Sequence, residues 1–531
     1  MLFNSFGFLV GFLPITLCIF YLLGPISRSL AIRWLIVASL VFYGCWRPLN
    51  VLIIAPSIVI NFIIASALLR LNQDDSRRRT SKALLVAGIL FNVAFLGIFK
   101  YTDFVASSAN DIFDANLPLL HIILPLGISF ITFQKIAFLV DVQAGRIRSF
   151  TFQDYCTFVL FFPQLIAGPI VHYREMMPQF QAAPCRFDKE NVAVGLTLLV
   201  FGLFKKVVFA DKIAHYVTPV YQHSAAGGST SFLLAWVAAV GFTLQIYFDF
   251  SGYTDMALGL ARLFGIRLPQ NFNSPLRASS IIDFWLRWHM TLTRFLTAYI
   301  YNPLLLSLTR RRQTKGLPVF GGRNTTVGAF ISLLMFPTIM TMFISGLWHG
   351  AGYGFIVWGV LHGIYLSINH GWRLVAARLW RNKAAYHRLM RPAGLALTFL
   401  AVTGTMVLFR AFTMTSAIDL VRGLIGMNGF SLHGVTQHSI GVFADWSGHN
   451  FIAMAFWIGV PTFVALACPN TMQILARYEP ALGVRPATAR SSWTERLVVW
   501  NAAFSWAIVV SAAAALAIFF MGPSEFLYWR F

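Results

Sequence analysis

Charge is scarce in this sequence. Lys, Arg, Asp and Glu make up 11% of the 531 residues, where a soluble globular domain carries about 25%. A soluble chain of this length would form two or three domains, and too few polar residues remain here to clothe their surfaces. Long hydrophilic stretches are missing as well. The longest polar intervals, at about 172–190, 371–392, 426–450 and 469–496, have the length of loops or interfacial helices. Cysteine is sparse, and Cys18, Cys45, Cys156, Cys185 and Cys468 show no CxxC or CxxH spacing. Neither a disulfide framework nor a zinc site is implied. No internal repeat is visible, which weighs against a transporter built on paired halves. No basic stretch precedes the first apolar run, which weighs against a cleaved signal peptide.

What the sequence has in quantity is apolar length. Hydrophobic residues make up 57% of the chain. They gather in runs over Phe6–Leu23, Val51–Leu69, Ala83–Phe99, Val192–Ala210, Phe232–Phe248, Val327–Leu347, Leu395–Phe409, Phe451–Cys468 and Leu497–Met521. About 20 mostly apolar residues cross a bilayer core as a helix. With the shorter runs between them, these predict an all-α polytopic membrane protein with roughly 11 to 14 embedded helices, some re-entrant or interfacial. The net charge of +22 sits in short clusters between the runs, such as Arg77–Arg79 with Lys82, Arg310–Arg312 with Lys315 and Arg323, and Arg373 to Arg391. This is the pattern of basic cytoplasmic loops, and it displaces a nucleic-acid reading. With no Lys or Arg before Arg28, it predicts an outer N-terminus and cytoplasmic segments at residues 24–30 and 70–82.

Pro and Gly break several runs in the middle of the chain, at Pro125 and Gly127, at Pro163, Gly168 and Pro169, and at Pro337. Broken helices at membrane depth survive only where they are buried in protein or line a wet cavity. A cavity is therefore expected within residues 120–370. Polar groups in that region stand out. Asp249 and Asp255 flank a Ser-Gly pair in Tyr247–Asp255; as helix caps they would be structural. In Asp283–Leu292, a continuous helix would pair Asp283 with Arg287 and set His289 about 200° away, with Trp285 and Thr293. His289 read alone is either a buried structural histidine or a functional one. His349 ends a long run between Gly346 and Gly350, small residues that admit a backbone or a substrate. A histidine there is structural or a general base. His362, 13 residues on, has the wrong spacing for a metal pair on one helix face and reads as structural.

Several of these segments occur together in one family. Leu124–Phe130, Phe162–Pro169, Tyr247–Ala257, Asn271–Pro275, Phe284–His289, Gly346–Ala351, Phe409–Ala411 and the closing Phe526–Phe531 resemble the membrane-bound O-acyltransferase (MBOAT) family. The likeness is to its bacterial branch, which includes the alginate O-acetyltransferase membrane component and the protein that D-alanylates teichoic acid. It runs nearly end to end. It implies a single membrane domain over 1–531, with a catalytic core at about 120–370 around a central tunnel and C-terminal helices over 392–531. It implies that His349 is the principal catalytic residue and that His289 supports it, with Trp348, Trp288, Asp249, Asp255 and Asn273 as supporting or tunnel-lining groups. It implies no metal and no bound cofactor. Acetyl-CoA would be the cytoplasmic donor and a polysaccharide the acceptor, with a periplasmic SGNH or esterase-like acetyltransferase as partner, in a bacterial inner membrane. The chain departs from alginate-type members after His289, where Leu296-Thr297-Ala298-Tyr299 and a longer basic loop with Gly321-Gly322-Arg323-Asn324 replace a Leu-Arg-Asp-Tyr segment and a Gly-Gly-Asn-Arg loop. The resemblance therefore carries the acyl chemistry rather than an alginate label. D-alanyl transfer and a non-enzymatic export component stay open as alternatives.

Acyl transfer to a hydroxyl needs a base for the departing proton and donors for the oxyanion. His349 is the expected base. His289, with the indole N–H of Trp288 or Trp348, would orient it or hold the acyl oxygen. No Ser-His-Asp triad is evident, so direct transfer is simpler than an acyl-enzyme.

Overall fold

The structure is a computed structural model that describes residues 1–182, 185–319, 325–380, 382–430, 448–484 and 498–522, together with Leu527. The Gly321–Asn324 segment and the closing motif, apart from Leu527, lie outside the described residues.

Apolar runs become helices because a bilayer offers no partner for backbone N–H and C=O groups, which a helix satisfies internally. Among the described residues, six helices are long and apolar enough to cross a membrane: Pro48–Leu71, Asp75–Phe113, Lys189–Ala225, Phe232–Leu263, Val327–His349 and Arg388–Arg410. Three shorter apolar helices cover Gly7–Leu23, Ile452–Ala467 and Phe504–Phe520. Among the described residues, each of the nine apolar runs overlaps one of these helices, the last only from Phe504 on. The protein is an all-α, multi-pass membrane protein.

Contacts gather the chain into two compact units, each made of three separate stretches. The first holds Met1–Phe204, Gly252–Gln270 and Thr471–Gly522; the second holds Lys205–Ser251, Asn271–Asn470 and Pro523–Phe531. In the first unit the expected breaks are real. A four-residue helix over Phe162–Leu165 follows a turn at Phe161, and residues 166–171 are buried without helical structure. Gly127 has φ +69°, and a Cβ there would come within 2.7 Å of the Leu165 carbonyl oxygen. Only glycine allows both the left-handed backbone and that approach. Two of the broken segments thus pack directly on each other.

In the second unit, the helix that ends at His349 packs closely against the next one, Tyr353–Leu379. Small residues make this possible. A Cβ on Gly346 would sit 2.3 Å from the Phe355 carbonyl oxygen, and one on Gly359 would sit 2.4 Å from that of Met342. Helices in lipid associate by such close packing, because lipid tails are as apolar as the side chains. Pro337 does not interrupt the run. It occupies the first turn of Phe336–His349, directly after a π-helical turn over Ile331–Met335. A π turn widens the backbone and absorbs the hydrogen bond that proline cannot donate.

Candidate active site

His289 departs from the continuous helix predicted around it. A short helix, Ile281–Trp285, starts with Ser280 Oγ accepting the Asp283 N–H at 3.2 Å and stops after Trp285. A second helix begins at Met290, with His289 at its N-terminus in the left-handed region, φ +44°. The Asp283–Arg287 ion pair forms as expected, at 2.8 Å, but His289 is aimed by the break instead of by helical periodicity. Histidine tolerates this backbone better than most residues, yet it remains an uncommon conformation. The Asn271–Asn273 segment holds it. Met290 N–H donates to Asn271 O, and Asn273 N–H to Arg287 O, each at 2.9 Å. These bonds replace the helical ones lost at the break.

The side chains converge where the backbone is held. His289 is fully buried, and its Nδ1 lies 3.0 Å from Asn271 Oδ1. The His289 ring centroid is 6.4 Å from that of His349 and 6.2 Å from that of Trp348. Phe250 packs edge-on against His289 at 4.8 Å. Around His349 stand Trp348, Trp358 and Phe409, at 4.8, 5.2 and 5.2 Å between centroids. His289 lies outside every long apolar helix, and burial pushes its imidazole down to about 3, so the ring is neutral. His289 Nε2, Asn271 Nδ2, Trp358 Nε1 and Ser345 Oγ are buried and have no hydrogen-bond partner among the described residues. Buried polar groups are nearly always satisfied, so these atoms keep hydrogen-bonding capacity that a polar ligand could use.

Of the residues singled out in the sequence, His289, His349 and Trp348 come together. Trp288 is buried one layer away, stacked on Phe284 at 5.6 Å and edge-on to Phe272 at 5.1 Å. The Asn273 side chain accepts from Asn470 at 3.2 Å. Asp249 belongs to an ion cluster: Lys206 Nζ lies 2.6 Å from Asp249 and 2.7 Å from Asp211, and the Leu527 N–H reaches Asp249 at 3.4 Å. Its carboxylate therefore anchors a helix. Asp255 is buried in the first unit. His362, read as structural from its spacing, has both ring nitrogens engaged. Trp285 Nε1–H donates to its Nδ1 at 3.3 Å, and its Nε2 meets Thr405 Oγ1 at 3.0 Å. Sequence reasoning missed Asn271 and Trp358. Asn271 stood in a noted motif, but its partner is 18 residues away, which no local spacing reveals.

The second unit also has a pocket of about 800 Å³ lined by Ser279, Tyr365, Asn369, Arg373, Tyr386 and Arg391, among others. Tyr365, Asn369, Trp372 and Ala376 continue the helix face that carries Trp358 and His362, following the i, i+3, i+4 rhythm.

Two buried histidines set among aromatic rings in a multi-pass helical protein make a site where a proton can be held away from water. The comparisons give the class. The model of the MBOAT, membrane-bound O-acyltransferase family matches residues 141–317. The chain is 37% identical over 494 residues to the peptidoglycan O-acetyltransferase of Helicobacter pylori, covering 87% of each chain. It is 34% identical over 447 residues to a probable alginate O-acetylase of Pseudomonas aeruginosa, covering 83% of this chain and 78% of that one. It is 29% identical over 296 residues to the teichoic acid D-alanyltransferase of Streptococcus thermophilus, covering 54% and 68%. This chain belongs to the membrane-bound O-acyltransferase family and is an O-acyltransferase.

Proposed function

We propose that the protein moves an acetyl group from cytoplasmic acetyl-CoA across a bacterial inner membrane for O-acetylation of a periplasmic or extracellular polysaccharide, with a periplasmic SGNH or esterase-like acetyltransferase as partner. The observation that carries the proposal is the buried pair of His289 and His349, 60 residues apart in sequence and 6.4 Å apart between ring centroids. Acetyl is favoured over D-alanyl by the relatives. Those named for O-acetyl transfer match at higher identity over most of the chain, and the one named for D-alanyl transfer matches over 54% of it.

His349 acts as the general base. The hydroxyl O–H bond breaks as the new C–O bond forms, and the proton passes to His349. When the C–S bond of the thioester donor breaks, that proton neutralises the departing thiolate. Trp358 Nε1–H is a buried donor of the kind an oxyanion needs. General-base loss costs about 10²–10⁴ in rate. His349→Gln should therefore abolish detectable O-acetylation in membranes while the protein inserts and elutes as the parent does. Normal acetylation of the polymer by that variant would overturn the assignment.

A further inference from the structure

The hydrogen bonds around Asn271 fix which nitrogen of His289 carries the proton. The Thr291 backbone N–H points at one terminal atom of the Asn271 side chain, at 3.2 Å. A backbone N–H only donates, so that atom is the amide oxygen. The same oxygen receives the Thr291 hydroxyl at 2.8 Å and lies 3.0 Å from His289 Nδ1. An amide oxygen has no proton to give, so the contact is a hydrogen bond only when Nδ1 carries one. In a neutral ring the lone pair is then on Nε2. That atom is buried and has no hydrogen-bond partner among the described residues.

We infer that Asn271 is a positioning residue: it locks His289 in the Nδ1–H tautomer, which makes Nε2 an acceptor facing the acyl-transfer site. The assignment of a catalytic duty rests on the function proposed above; the tautomer does not. Two duties were open to His289. Holding the acyl oxygen needs an N–H, and orienting His349 needs a lone pair. The tautomer leaves the second. A general base presents one ring nitrogen to the hydroxyl, and its other nitrogen, an N–H, wants an acceptor. His289 Nε2 supplies it through one bridging oxygen. The 6.4 Å between centroids is long for a direct bond of about 3 Å between ring nitrogens and fits one bridging oxygen. The imidazolium that forms on His349 is then steadied by a neutral ring, and His289 itself neither gains nor loses a proton. Thr291, Asn271, His289 and His349 form one polarised chain ending at the reacting hydroxyl.

The test has a spectroscopic arm and a kinetic arm. Solid-state ¹⁵N spectra of histidine-labelled protein in liposomes, with His289 assigned by its loss in His289→Gln, should show Nδ1 protonated and Nε2 bare. In Asn271→Leu the His289 signal should split between tautomers. Turnover in that variant should fall on the order of 10²-fold, with the KM for donor little changed. Asn271→Asp, which keeps an oxygen acceptor at Nδ1, should recover most of the rate. A protonated Nε2 in the parent protein would overturn the inference, as would parental turnover in folded Asn271→Leu. The spectra use the parent protein without substrate. They decide the tautomer even if Asn271→Leu fails to fold, and separately from whether His349 proves essential; where His289→Gln does not fold, the Nδ1 coupling to labelled Asn271 identifies the His289 signal.

Discussion

At His362 both ring nitrogens are engaged. Trp285 donates to Nδ1, which leaves Nε2 to donate to Thr405 Oγ1, whose own proton goes to the Ala401 or Val402 carbonyl. The ring is neutral and saturated, so it has no capacity for a substrate. His289 has one nitrogen tied and the other without a partner among the described residues. Two buried histidines in one unit thus differ in role because of their second hydrogen bond. His362→Phe should preserve ring packing and strand the Trp285 N–H, while the Thr405 hydroxyl keeps its bond to a backbone carbonyl. A buried polar group left unsatisfied costs about 1–3 kcal/mol. Thermal unfolding in detergent should register that loss, and turnover of the folded fraction should fall less than tenfold, far less than for His349→Gln. Residue types in the sequence set His289 and His349 apart but left each open between a structural and a functional role, and the family resemblance made the nomination. They could not reveal Asn271, whose importance depends on a contact with a residue 18 positions away.

Helices deliver these side chains, and their spacing is set by glycine. His349 sits at the end of a helix pressed onto the Tyr353–Leu379 helix through Gly346 and Gly359. Gly359→Val would place atoms inside the Met342 carbonyl contact and force the pair apart. Overpacking of this kind costs about 1–3 kcal/mol. A displacement of about 1 Å at a reacting group can cost 10²-fold in rate. The variant should therefore lose turnover by at least about tenfold, beyond what its lowered unfolding temperature explains; unchanged turnover in the folded fraction would show that the spacing is not critical. At this scale the sequence was largely legible. Nine apolar runs gave nine apolar helices, and the break after Phe161 follows from Pro163, Gly168 and Pro169. Two points were not legible. The helix expected across His289 is broken, because bonds to Asn271–Asn273 outcompete helical ones. Pro337 starts a helical segment without ending the span, because a π turn precedes it. Periodicity cannot show either, since both depend on what lies beside the chain.

Across the whole molecule, the basic loops give the proposed orientation a functional side. If residues 371–391 face the cytoplasm, the pocket edged by Arg373 and Arg391 is where a phosphorylated donor arrives, and exposed cations raise its local concentration. Arg373→Gln with Arg391→Gln should raise the KM for donor several-fold at low salt and leave kcat and membrane topology, mapped by impermeant thiol labelling, unchanged. An unchanged KM would assign these arginines to topology alone. Membrane embedding, the helical class and the family were decided by sequence. Composition fixes the solvent a chain can live in, and run length fixes what crosses it. Each compact unit gathers stretches far apart along the chain. The polarity of His289 and the close approach of His349 were decided only by tertiary structure. Tautomers, left-handed turns and glycine contacts arise between segments that are distant along the chain, and no local pattern records them.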